Sequence, residues 1–507
     1  MNRIVKQLEQ QACACPQAIA IRSGNESISY AQLMSSVRQV SRLMQSRQVQ
    51  SLGIYLDNGI DWIIVDLAGM VCGIRIVPLP WFFSDRQIDH AIDDGAVDHL
   101  VFAAELPSGI LGTGTPVQFH RDTWLQPVTR SQVTPSDTPT VAGKLSYTSG
   151  STGSPKGIGL AYQFIDQASF SISAAVADLG IESHLSILPY ATLLENIAGV
   201  YVPLMQGKTV FAESAECVGL SADLRLDPLK LMQTFNRVRP DSLILTPQLL
   251  ELLCLLVEGG AIDPACLVFV AVGGARVGEP LMQRARRAGI PAYEGYGLTE
   301  FGSVAILNTP SNDRVGSVGK PLPGIQVDIA TDGAIVLSTQ VTRMEAGVIR
   351  QHTVRVETGD LGSIDSDGFV YIHGRKSNLI VLSTGRNVSP EWVEAELNAS
   401  PLIQQSYVFT ATQSDLSALL VTAAADVADA DLEAEIDRIN LMLPRYARIN
   451  SWQRLAQPFS LDNQMLTANG RLRRGQIEQR LPELLAEAKS VAAVTTRCDS
   501  GLFIPGE

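Results

Sequence analysis

Residues 145–157 read LSYTSGSTGSPKG. Residues 145–147 form a short strand-like run that opens into Gly, Ser and Thr and closes on Pro155-Lys156-Gly157. Glycines at 150, 153 and 157 let backbone N–H groups turn toward one point, and the hydroxyls of Thr148, Ser149, Ser151, Thr152 and Ser154 add donors. Lys156 brings a mobile positive charge. Converging N–H groups with a cation nearby suit a polyphosphate. A flexible Gly/Ser linker is the commoner meaning of such composition. The preceding strand and the Pro-Lys-Gly ending argue against it here. A Walker A loop is also disfavoured, because it needs Gly, four residues, then Gly-Lys-[Ser/Thr]. Counting from Gly150, Pro155 takes the second glycine position and Gly157 follows the lysine.

The chain has 507 residues, enough for two or three domains with full cores. With 46% apolar and 18% charged residues it has ordinary globular composition. A net charge of −13 argues against general nucleic-acid binding, which favours a basic face. Seven scattered cysteines make no disulfide framework, and the lone pair Cys13/Cys15 reads as ordinary thiols near a helix. There is no signal-peptide run at the N-terminus, and apolar stretches such as 62–72 are too short to span a bilayer. A cytoplasmic location without an integral membrane segment is therefore expected.

Working outward from the loop, helical spacing over 30–43 and 62–72 alternates with strand-like runs at 52–56, 74–80 and 98–102. The loop at 131–140 feeds the phosphate stretch, and further strands are predicted at 185–188, 209–211, 242–245 and 267–272. This alternation implies βαβ units and a largely parallel sheet. From about Pro310 the pattern becomes antiparallel, with runs at 326–329 and 334–337. After a polar break at 374–378 a smaller α+β unit is predicted: a helix from Pro390 with Ser389 as its N-cap, strands around Tyr407 and Leu419, helices from Asp431 and Arg474, and a polar tail from about Ser490.

Several stretches join the loop in one order: Gly273-Gly274-Ala275, then 294–300 (EGYGLTE), 316–324 (GSVGKPLPG), 358–362 (TGDLG), 374–394 and 466–474 (LTANGRLRR). Singly each is weak; T-G-D-x-G alone is as often a plain β-turn. Together, and in this order, they resemble the adenylate-forming superfamily of acyl-CoA synthetases, luciferases and adenylation domains. The match covers the chain from Tyr30 onward and is most like the long-chain fatty acyl-CoA synthetases.

The resemblance implies an α/β fold: a large N-terminal domain, 1–374, of two α/β subdomains plus a small β-barrel-like subdomain. A hinge at 375–378 and a small mobile α+β lid at 379–507 follow. It also implies nucleotide binding by Thr148, Ser149, Gly150, Ser151, Thr152, Gly153, Lys156, Gly273, Gly274, Ala275, Tyr296, Gly297, Thr299, Asp360 and Arg375. In the family the tyrosine lies along adenine, the threonine meets the α-phosphate, the glutamate holds Mg²⁺ and the aspartate takes the ribose hydroxyls. Those roles map onto Tyr296, Thr299, Glu300 and Asp360. A carboxylate oxygen suits Mg²⁺ bridging phosphates. Thr299, Lys156 and Arg471 are the implied catalytic residues, with Arg471 replacing the usual lysine; its planar fork sits differently from an ammonium. The usual hinge Asp or Lys is Ser377 here.

The implied reaction uses ATP and Mg²⁺ to convert a carboxylic acid, of medium or long chain, to acyl-AMP. The acyl group then passes to coenzyme A or to the phosphopantetheine of an acyl carrier protein. An acidic carrier needs a basic patch, for which Arg284, Arg286 and Arg287 are the candidate. The implied acyl-pocket stretch, 188–204, is mostly apolar, with Thr192 and Glu195-Asn196 where a His and a Glu-Arg pair are usual. Leu193, Leu194, Ile197 and Val200 read equally as tail contacts or as a core stripe. An adenylation enzyme for an aryl or amino acid and a nucleotide-binding relative of weak activity stay open.

Overall fold

The computed structural model describes residues 2–103, 116–128, 142–148, 156–221, 226–345, 348–383, 386–410, 415–467, 470–487 and 489–490. The phosphate loop at 149–155, the loop at 131–140 and the tail from 491 lie outside the described residues.

The described residues divide into two compact units, 1–376 with 460–475, and 377–459 with 476–507. In the first unit, seven described strands form one sheet in the order Val117–His120, Thr123–Pro127, His99–Phe102, Ser51–Tyr55, Arg75–Pro78, Gly143–Thr148 and Lys156–Ala161. Its centre is parallel and its edges antiparallel. Nine more strands form a second sheet. Its parallel core is Ala292–Tyr296, Phe269–Val272, Ser242–Leu245, Ser183–Leu185, Thr209–Phe211 and Ile19–Ser23.

Local chemistry explains the helices on these sheets. Ser29 starts the helix Tyr30–Ser46 with a reciprocal cap: Gln32 N–H donates to its Oγ, and the Gln32 amide accepts from its N–H. That helix buries Tyr30, Leu33, Val37, Val40 and Met44 at helical spacing. The helix Ile60–Cys72 is apolar almost all round because it is buried almost all round, and it stops at Gly73, whose φ of +66° suits glycine. The strand expected over 185–188 instead spans Ser183–Leu185. Beyond it the chain leaves the ladder for Asn58, whose amide donates to Leu188 O (2.9 Å) and accepts from Tyr190 N–H (2.8 Å).

A third sheet, Ile325–Ile329, Ala334–Glu345, Val348–Ile364 and Val370–Arg375, is antiparallel, with its strands in linear order. It occupies the place of the small barrel-like subdomain expected from the sequence. The second unit packs the helices Pro390–Asn398 and Asp429–Met442 on a sheet containing Ile403–Thr410, Leu416–Thr422 and Ile449–Arg454. Ser389 occupies the N-cap of the first of these helices, but its hydroxyl donates to Glu391 Oε2 (3.0 Å) rather than accepting from a backbone N–H. Among the described residues no helix is long and apolar enough to cross a membrane.

Candidate active site

The parallel strands Phe269–Val272 and Ala292–Tyr296 deliver Gly273-Gly274-Ala275 and Gly297-Leu298-Thr299 side by side at their carboxyl ends, where open α/β sheets bind ligands. The approach is close: a Cβ on Gly297 would meet Ser303 O at 1.6 Å. Glycine is required there for the chain to fold back, and Thr299–Phe301 then forms a short 3₁₀ turn that leaves Glu300 exposed.

Asp360 links this edge to the third sheet. It is buried, its Oδ2 accepts from the Tyr296 hydroxyl at 2.5 Å, and its Oδ1 meets Arg375 Nε at 2.9 Å. Burial, followed by the Asp360 charge, pushes the Tyr296 hydroxyl well above its ordinary range, so the phenol stays protonated and donating. Its ring is thereby fixed beside Gly297.

Arg471 reaches the same place. Residues 460–475 belong with the large unit, and Arg471 Nε donates to Gly274 O. Burial of the guanidinium and then repulsion from Arg375 push its pKa down, against attraction from Asp360 and Glu300. The residue as a whole is exposed, and a guanidinium remains charged at any physiological pH. The structure therefore gathers Gly274, Tyr296, Glu300, Asp360, Arg375 and Arg471, with Gly273, Ala275, Gly297 and Thr299 on the strand ends between them. Thr148 and Lys156 pair across the base of the hairpin that carries the phosphate loop. Ser149, Gly150, Ser151, Thr152 and Gly153 lie outside the described residues.

The sequence reading missed several buried groups that support this edge. Lys144, on the strand entering the phosphate loop, is fully buried and meets Asp66 Oδ1 at 2.6 Å. Asn196 accepts from Lys144 and donates to Asp66 (3.3 Å), and the Tyr201 hydroxyl also donates to Asp66. This network ties the phosphate-loop strand to the acyl-pocket stretch. Glu294, in the motif before Tyr296, is buried and accepts from Val277 N–H (3.2 Å); burial pushes its carboxyl up to about 8.

Against the strands Ser242–Leu245 and Phe269–Val272 lies a cavity of about 60 Å³. Its walls include Ala271, Ile244 and Val304 on the sheet side and Val176, Leu194 and Ala198 on the helical side. Of the four predicted stripe residues, Leu194 lines it, while Leu193, Ile197 and Val200 belong to the core. The reason is the winding: Glu195–Tyr201 is π-helical, which breaks the 3.6-residue phase. His184 also lines the cavity, at 3.0 Å from Ser242 Oγ and 2.8 Å from Glu195 Oε1. Ser242 spends its one hydrogen on Ser183 O (3.1 Å), so His184 Nδ1 carries a proton. A Cβ on residue 199 would lie 2.2 Å from Glu195 Oε1, so Gly199 is what lets the pair meet.

The expected basic patch is largely neutralised. Glu258 holds Arg284 through two bonds (2.9 and 2.7 Å), and Arg286 pairs with Asp313 at 2.7 Å.

The model of the family described as AMP-binding enzyme matches residues 8–341, and that of the AMP-binding enzyme C-terminal domain matches 377–489. The long-chain-fatty-acid–CoA ligase FadD15 of Mycobacterium bovis is 31% identical over 239 residues, 41% of this chain but only 40% of that ligase's length. The 2-succinylbenzoate–CoA ligase of Geobacillus kaustophilus is 27% identical over 436 residues, covering 80% of this chain and 84% of the relative. Among solved structures, the anthranilate CoA ligase AuaEII in complex with anthranoyl-AMP aligns with a TM-score of 0.76 at 17% identity, over 95% of this chain and 98% of that one. The O-succinylbenzoate CoA synthetase MenE of Bacillus subtilis, in complex with ATP and magnesium ion, aligns at 0.70 and 20%, over 93% and 99%. With its two family matches covering both parts of the chain and its fold shared with these ligases, the chain belongs to the AMP-binding enzyme family, the adenylate-forming superfamily its motifs resemble.

Proposed function

We propose that the protein activates an aliphatic carboxylic acid with ATP, forming acyl-AMP and pyrophosphate, and then transfers the acyl group to the thiol of coenzyme A. The observation that carries this reading is the convergence of Gly274, Tyr296, Asp360 and Arg471 at the strand ends, on a sheet whose strands Ser242–Leu245 and Phe269–Val272 also wall an apolar cavity. Its walls are mainly Ile, Val, Leu and Ala side chains, which suit an alkyl tail.

In the first step a substrate carboxylate oxygen attacks the α-phosphorus, and the pyrophosphate oxygen leaves. Tyr296 offers a ring face for adenine, and Asp360, held by Tyr296 and Arg375, has lone pairs left for the ribose hydroxyls. The Nη groups of Arg471, whose Nε is held by Gly274 O, supply positive charge where negative charge builds up on the reacting oxygens. Glu300 projects from its turn as one exposed carboxylate. That donor set fits Mg²⁺, which takes one or two carboxylates and completes its shell with phosphate oxygens and water. When bound, the ion neutralises charge on the departing pyrophosphate. In the second step the thiol sulfur attacks the acyl carbon and AMP leaves. Residues 375–378, which include the 3₁₀ turn Lys376–Asn378, are the proposed hinge between residues 1–374 and 379–507 for the change between steps.

The relatives named 2-succinylbenzoate–CoA ligases support an aryl acid as the second reading. A panel of straight-chain and aryl acids, assayed for AMP release with and without coenzyme A, separates the two. Straight-chain acids should lead; aryl acids alone giving AMP would reverse the order, and AMP release from none would refute the ligase reading.

A further inference from the structure

The cavity has a stopper. Gln206, at the end of the short helix Val202–Met205, borders the cavity on one side. On its other side it borders a surface groove of about 390 Å³, whose walls include Gln7, Gln11, Phe170, Ala177 and Met205. Two hydrogen bonds hold its amide in place: Nε2 donates to Ser173 O (2.9 Å) and to Ser173 Oγ (3.1 Å). The backbone beside it is fixed as well, because Gln11 Nε2 donates to Met205 O at 2.9 Å. One tethered side chain thus stands between an apolar cavity walled by the strands Ser242–Leu245 and Phe269–Val272 and a partly apolar groove that faces solvent.

Resting on the proposed activation of an aliphatic acid, we infer that Gln206 sets the length of tail the protein accepts. The substrate's terminal methyl group stops against the Gln206 side chain. A longer tail must either displace an amide from its two bonds to Ser173 or leave methylenes outside the cavity. Burying each methylene is worth about fourfold in kcat/KM, so a stopper at a fixed depth gives a sharp upper limit on length. Removing it joins the cavity to the groove, where Phe170 and Met205 offer apolar walls to the extra chain.

The test is a kcat/KM series for acyl-AMP formation with straight-chain acids increasing by two carbons, on the full-length protein. Gln206→Ala should move the optimum to longer acids. It should raise kcat/KM for acids two or more carbons beyond the wild-type optimum by about tenfold or more, and leave acids at or below it within about threefold. Gln206→Leu keeps the bulk without the bonds to Ser173 and should keep the wild-type profile, which separates a stopper from a merely structural glutamine. Adding Ala177→Trp to Gln206→Ala fills the groove at an exposed position and should cancel the gain. Gln206→Trp enlarges the stopper and should shift the optimum to shorter acids, a result that does not depend on the alanine variant folding. An unchanged length profile in either Gln206→Ala or Gln206→Trp, with adenylation retained, overturns the inference. Wild-type protein that adenylates no straight-chain acid would instead sink the functional reading beneath it.

Discussion

Arg471 is where this chain departs from the lysine usual among its relatives, and its geometry says what its loss should do. Nε is occupied by Gly274 O, which fixes the guanidinium over the end of the strand Phe269–Val272. Burial and then Arg375 lower its pKa, while Asp360 and Glu300 act the other way. A cation held this way is already in place before charge develops, so its contribution belongs to the transition state more than to ATP binding. Removing one such positioned donor costs about 3–4 kcal/mol, or about 10²–10³ in rate. Arg471→Ala should therefore lower kcat for acyl-AMP formation by about that factor, with KM for ATP changing less than about fivefold. Arg471→Lys keeps the charge but replaces the fork by a compact ammonium, and should stay within about tenfold of wild type. The assay is pyrophosphate exchange for the first step and thioester formation from supplied acyl-adenylate for the second. Transfer should fall less than about threefold in the alanine variant. If Arg471→Ala adenylates as fast as wild type, the loop is not catalytic and the reasoning fails.

Three further outcomes follow from the same geometry. Glu300→Gln keeps size but loses the only carboxylate on its turn, and should cut adenylation by about 10² or more and raise the Mg²⁺ concentration for half-maximal rate, with an unchanged circular dichroism spectrum; normal rate at limiting Mg²⁺ would remove it from the site. Lys144→Met leaves Asp66 buried without its cation and should cost about 3–5 kcal/mol in urea unfolding, whereas Asp66→Asn/Lys144→Met should recover at least half of that; equal losses in the single and double variants would contradict the pairing. Glu294, ordinarily near 4.5, is raised to about 8 in the folded protein, so the folded state holds that proton more tightly than the unfolded chain. Its contribution to stability is complete below about pH 4.5 and is lost as pH rises to 8, by about 5 kcal/mol as an upper bound. Glu294→Gln should flatten the fall in melting temperature between pH 6 and 9; an unchanged slope would assign that fall to other groups.

What the sequence revealed and what it hid divide along a physical line. Tyr296, Thr299 and Glu300 are named from the sequence because EGYGLTE resembles a motif of the adenylate-forming superfamily, and the structure adds that Gly297 lets the backbone approach Ser303 O closely. The parallel strands at 209–211 and 242–245 are legible because strands buried on both faces read as short apolar runs. Lys144 with Asp66, and Gln206 with Ser173, leave no such trace, because each joins residues 33 or more positions apart and only the fold brings them together. The stripe 193–200 stayed open for a different reason: spacing alone reads equally as tail contact or core, and the structure puts Leu193, Ile197 and Val200 in the core and Leu194 on the cavity wall. Arg471 was legible as a cation, but not as one placed beside another. Arg375 Nε meets Asp360 Oδ1 at 2.9 Å and Arg471 Nε donates to Gly274 O, so residues nearly a hundred positions apart bring two guanidiniums to one site. Two cations held on fixed partners beside glycine-rich strand ends are a reason for this strand edge to prefer a phosphate.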